Sequence, residues 1–169
     1  MITPAYVRTM AAYNREMNLR IYGAAARLSD EERRAERGVF WGSLHATLGH
    51  ILWADRMWMW RFEVCDKPER AIADSGCNDM SFAAIRADRD VVDGLLTGWA
   101  DRLQPSWFEG ELNWYSGAKQ RDVTADKGLL VTHLFNHQTH HRGQAHALLT
   151  RLGEKTSDTD LWLVVPKPL

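Results

Sequence analysis

Apolar residues recur at steps of three and four along four stretches of the chain, the period of a helix that buries one face. The first stretch covers about residues 4–28 and carries Tyr6, Met10, Tyr13, Met17, Ile21, Ala24 and Leu28. Thr3 is placed to cap it, and Pro4 suits a first helical position. The second, about 43–64, starts at Gly42-Ser43 and is apolar over much of its surface, which predicts a central helix. The third, about 82–103, follows Ser81 as cap and ends before Pro105, a stop signal. The fourth, about 127–152, has Asp126 as N-cap candidate and Gly153 where a glycine ends a helix.

The intervals break this period. Residues 65–80, CDKPERAIADSGCNDM, combine Pro68, Gly76 and polar residues and read as a loop. Residues 107–123 alternate aromatic and polar positions around Ser116-Gly117 and predict a short β-hairpin. The tail contains Pro166 and Pro168 and is not a long helix. Together these elements predict an all-α chain, a single domain over 1–169, built as a four-helix bundle. The long connections 65–80 and 104–126 exclude an up-down-up-down bundle with tight turns.

Charge narrows the function. Lys plus Arg number 21 against 22 for Asp plus Glu, with no basic run, which argues against a grip on nucleic acid or an anionic membrane. No stretch approaches the roughly 18 apolar residues of a spanning helix, and MITPAYVRTM lacks the order of a signal peptide. A cytoplasmic protein with Cys65 and Cys77 as free thiols is expected.

Candidate chemistry lies in the fourth helix, where HLFNHQTHHRGQ places His133, His137, His140 and His141 within nine residues. At about 100° per residue, His141 falls roughly 40° from His137. Leu130 and Leu148 fall within about 20° of it. The pair therefore interrupts an inward apolar stripe, and imidazoles at i and i+4 can converge on one ion, although such helical pairs also arise by chance. His133 and His140 sit at the stripe's edge, and His146 lies on the far side. A catalytic site of this kind takes a third protein ligand. On the second helix His50, flanked by Thr47 and Ala54, is the candidate, whereas His45 points elsewhere. Asp55 either lies on a solvated face or orients a ligand's free ring nitrogen. Trp53 is placed to reach a pocket rim. Arg142 and Gln144 are either structural or contact a substrate.

The string NHQTHHRGQ followed by an apolar helix end and glycine resembles the last core helix of the DinB-like (YfiT-like) metalloenzyme family. LGHILWADRMWMW resembles that family's second helix, and TDLWL fits its tail. The resemblance implies a four-helix bundle with long crossovers, often a homodimer. It also implies a divalent ion held by one histidine of the second helix and an HxxxH pair of the fourth: His50, His137 and His141. Characterised members of the family include isomerases and transferases that use a low-molecular-weight thiol as cosubstrate.

The expected activity is thus a metal-dependent reaction of a small-molecule substrate with such a thiol, of S-transferase or isomerase type. The alternative is a non-catalytic metal-binding or stress-related module. Three imidazoles suit zinc or nickel first, then iron or copper.

Overall fold

The computed structural model describes residues 2–165; Pro166 and Pro168 lie outside the described residues. The chain is mostly helical, with one two-stranded antiparallel sheet. Its four long helices are α1 (Pro4–Ala25), α3 (Leu44–Arg61), α4 (Phe82–Arg102) and α5 (Lys127–Arg151). Their starts follow local chemistry. Thr3, Ser43, Ser81 and Asp126 each accept a backbone N–H of the first turn, from Tyr6, Ala46, Ala84 and Leu129.

Each long helix packs on two others, in the ring order α1–α4–α3–α5. Tyr6 meets Phe135 and Arg142 lies over Tyr13, so α1 and α5 run parallel. Asp55 meets Arg89 and Phe62 stacks on Trp99, so α3 and α4 run parallel as well. The two pairs oppose each other: Tyr22 meets Phe82, and Trp58 meets His133. Two parallel neighbours cannot be joined by a tight turn. The α3-to-α4 connection must return along the whole length of the helices, as the crossover reading of 65–80 requires.

Two helical pieces fall outside the long-period pattern. The first long helix ends at Ala25, short of the expected 28, because Ser29 begins a separate turn, α2 (Asp30–Arg34). There Ser29 and Glu32 form a reciprocal capping box. Leu28 is buried all the same. Near the C-terminus α6 (Leu161–Val164) is a single turn. The hairpin is present, but shifted from 107–123. Strand β1 (Glu111–Ser116) pairs with β2 (Arg121–Asp126) in the register Trp114↔Val123. Residues Pro105–Phe108 instead form a 3-10 turn, in which Trp107 packs edge-on against Phe62 and Trp99. Burial of those rings overrides the aromatic-polar alternation that suggested strand.

Helix α3 is central, as its composition implies: all of its residues except Arg56, Trp60 and Arg61 are buried. Its outer face is covered by the 65–80 segment, which approaches so closely that a Cβ on Gly49 would lie 2.3 Å from the Gly76 carbonyl oxygen. Among the described residues no helix is long and apolar enough to cross a membrane.

The apolar interior divides in two. One cluster contains Ile21, Leu48, Ile51, Ile85 and Leu148; the other contains Val7, Met59, Leu96, Leu134 and Phe135. Between them lies a polar layer with residues from all four long helices: Asn14 and Asn18, Asp55, Arg89 and Asp93, Gln138 and Arg142, all buried. Arg89 is 1% exposed, donates a hydrogen bond to Asp55 at 2.7 Å and lies in ion-pair contact with Asp93 at 2.9 Å. Asn14 and Asn18 donate to Asp93, and Arg142 donates to Asn14. Burial pushes both carboxyls up, while the two acidic neighbours hold the Arg89 guanidinium protonated.

Removing one partner of such a group strands the other charges in the interior. Arg89→Met is expected to lower the unfolding free energy by about 3–5 kcal/mol in urea denaturation. A loss below about 1 kcal/mol, the range of a surface pair, would show that the layer does not hold the helices.

Candidate metal centre

His50 sits near the middle of α3 and His137 and His141 one turn apart on the facing side of α5. One ligand atom from each of the three lies within 4.8 Å of the others. The Nε2 atoms of His50 and His137 are 3.2 Å apart. Two imidazole nitrogens at that separation share either a proton or a cation. For tetrahedral coordination at metal–nitrogen distances of about 2.0–2.1 Å, neighbouring nitrogens are about 3.3 Å apart. The donor set and its spacing therefore fit one ion. His50 and His141 are buried, at 5% and 7% exposure, and His137 is half-buried.

The surroundings hold these rings uncharged. Burial, reinforced by the neighbouring histidines, lowers the pKa of His50 and of His137 to about 3. His141 is also lowered, again chiefly by burial, against the opposing effect of its hydrogen bond to Gln144. Neutral imidazole is the form that coordinates metal.

Two rings are also fixed in orientation. His141 Nδ1 donates to Gln144 Oε1 at 2.8 Å, which leaves its Nε2 lone pair free. His50 Nδ1 lies 3.0 Å from Ser75 Oγ, on the crossover segment. When that hydroxyl accepts, His50 Nε2 is likewise a lone-pair donor. His137 Nδ1 is buried without a partner among the described residues. That ring is held by packing between His133 and His141.

The remaining sequence candidates fall into place around this group. Gln144 touches His141 and, through Nε2, His140. Trp53 lies nearly parallel to His50 with ring centres 6.0 Å apart. It also lines a groove of about 690 Å³ with Leu52, Arg56, Arg70 and Met80, to which none of the three histidines contributes. Asp55 does neither of the things considered for it. It is buried, not solvated, and its carboxylate bonds Arg89 instead of a histidine. Arg142 faces the polar layer, where burial lowers its pKa to about 10. His45 is buried on another face, with Nε2 3.3 Å from the Cys77 carbonyl. His133 and His140 are exposed beside the centre, and His146 is half-buried.

Two residues of the site escape a reading by helical period, because both lie in connections. Ser75 is one. The other is Trp41, whose ring stacks on His50 at 3.9 Å and 24°. The aromatic pair Phe40-Trp41 directly before the Ser43 cap was the available signal for Trp41; a lone serine in a polar loop offers none. Neither cysteine is among the three candidate ligands. Both thiols are pushed up by burial, and Cys77 contacts the Gly49 and Ser75 carbonyls.

The depressed histidines make a prediction for chelator-treated protein. In the unfolded chain these rings take up protons near pH 6.5, in the folded chain only near about 3. The unfolded state thus binds more protons throughout that interval. Their contribution is fully present above about pH 6.5 and is lost as pH falls toward 3. The melting temperature should drop across this window, and less steeply in the double variant His50→Asn/His137→Asn. Parallel curves for the two proteins would refute the assignment.

Comparison with known proteins adds the family. None of the curated proteins matches the sequence. The model of the DinB family, however, matches residues 1–165, which span every helix and all three histidines. The chain belongs to the DinB family.

Proposed function

We propose that the four long helices form a four-helix bundle that binds one divalent transition metal ion through His50, His137 and His141. We further propose that the protein is a metal-dependent enzyme in which a low-molecular-weight thiol reacts with a small electrophile, in an S-transferase or isomerase reaction. The convergence of three neutral imidazoles from two facing helices carries this reading. Family membership supports it.

A divalent ion in such a site lowers the pKa of a bound water or thiol and polarises a carbonyl. The chain supplies the setting. Burial keeps the three rings unprotonated at neutral pH. Ser75 and Gln144 hold two of them with Nε2 turned inward. The Trp41 ring covers one face of His50 and keeps water from it. Three neutral imidazoles would leave the charge of a bound ion uncompensated. Zinc or nickel suits these donors first, with iron and copper as further candidates.

Protein purified without an affinity tag should carry about one transition metal per chain, and His137→Ala should carry none. Metal-free wild type, or unchanged content in the variant, would remove the proposal. Ser75→Ala should bind metal roughly 10–100-fold more weakly in competition with a chelator, with little change in the melting temperature of the metal-free protein. For activity, the metal-replete protein is screened with several low-molecular-weight thiols and electrophiles beside His141→Ala. Turnover in wild type that His141→Ala lacks supports the enzyme. A metal-loaded protein without turnover on any pair would favour the non-catalytic binding module.

A further inference from the structure

Arg61, the last residue of α3, differs from the protein's other sheltered arginines. Among the described residues, Arg20, Arg33, Arg34, Arg56, Arg70 and Arg89 all pair with carboxylates, and Arg142 bonds Asn14. Arg61 is half-buried and has no such partner among the described residues. Its Nε is buried and makes no hydrogen bond. Its guanidinium carbon lies 4.5 Å from the Trp58 ring centre and 5.4 Å from that of Trp114. The two indoles meet edge to face at 5.7 Å. Burial alone lowers its pKa to about 10; no acidic group opposes the shift.

The placement is specific. Alternation along β1 turns Leu112, Trp114 and Ser116 away from solvent, so the hairpin delivers Trp114 onto the end of α3. The other indole, Trp58, touches His133 with ring centres 5.2 Å apart. His133 in turn lies 5.8 Å from His137. His133 thus stands one helical turn of α5, about 5.4 Å of rise, from His137, while Arg61 lies farther out, three turns of α3 or about 16 Å of rise beyond His50. A guanidinium set against two indoles and without a carboxylate partner keeps its outer Nη donors for an anion, and it is more weakly hydrated than an ammonium.

We propose that Arg61, flanked by Trp58 and Trp114, binds the anionic end of the small-molecule substrate, a carboxylate or phosphate group, and so directs the rest of the molecule across His133 toward His137. This rests on the metal-centre reading for its account of what lies at the other end. The anion site itself rests on the indole–guanidinium geometry.

The test uses metal-free protein, so that failure to bind metal and failure to bind an anion are separate results. The Nε–H resonance of Arg61 and the ring resonances of His133 are followed by NMR while succinate or inorganic phosphate is added at constant ionic strength, with chloride as the balancing salt. The resonances should shift and saturate. The His133 response should weaken about tenfold or more in apparent affinity in Arg61→Met, the loss expected for charge-assisted hydrogen bonds. Arg61→Lys, which keeps the charge without the fork, should lie between. Saturation with one anion alone supports the site and names the group it takes. A linear, unsaturable response to both anions would overturn the proposal. So would saturation of His133 that survives unchanged in Arg61→Met. If that variant does not fold, Arg61→Lys carries the comparison: affinity equal to wild type shows attraction by charge alone and overturns the proposed planar recognition.

Discussion

A guanidinium buried to 1% exposure cannot be left without counter-charges, and the Arg89 layer is how this chain meets that demand. Asp55 comes from α3, Asp93 from the next turn of α4, and the asparagines that complete the Asp93 shell from α1. Arg142 ties α5 to the same asparagine cluster. Apolar side chains tolerate sliding and rotation of one helix on another, because dispersion contacts are non-directional. Charge-assisted hydrogen bonds do not. The layer therefore sets the axial register and rotation of all four long helices at one level.

That level is also the level of the histidines. On α5 the pair His137 and His141 is shadowed, one residue later, by Gln138 and Arg142, and both later residues are buried. A step of about 100° separates each histidine from its follower. Once Arg142 is bonded inward to Asn14, His141 is turned toward α3. On α3 the same logic holds: Asp55 reaches Arg89, and His50, five residues earlier, faces α5. The proposed metal centre is thus aimed by a structural network that does not touch an ion. Its own immediate supports, Ser75 and Gln144, are separate from that network. This explains why Asp55, which stands near His50 in sequence and resembles an outer ligand partner, serves the core instead.

Much of this was legible in the residues. Caps at Thr3, Ser43, Ser81 and Asp126 are local: each needs only a short polar side chain and the backbone three residues on. The inward stripe of α5 follows from helical period, because Leu130, Leu148 and the two histidines share one side. Short pieces were not legible. A one-turn helix such as α2 or α6 offers too few residues for a period, although the Ser29–Glu32 capping box is a local signature of the former. The displaced hairpin has a different cause. Trp107 belongs to an aromatic cluster with Phe62 and Trp99, residues distant in sequence, and their shared burial decides where strand begins.

By itself, the sequence determined the helices, their starts and which histidines share an inward face, since these depend on neighbours within about one turn. It also placed His50 on the helix apt to face them. Only the tertiary structure decided that His50 and His137 approach to 3.2 Å, that Asp55 turns to Arg89, and that Ser75 and Trp41 close around His50. Those outcomes depend on the crossover segment folding back over α3 and on the balance of charge in a shared buried layer. Both join residues tens of positions apart, and no local spacing records such contacts.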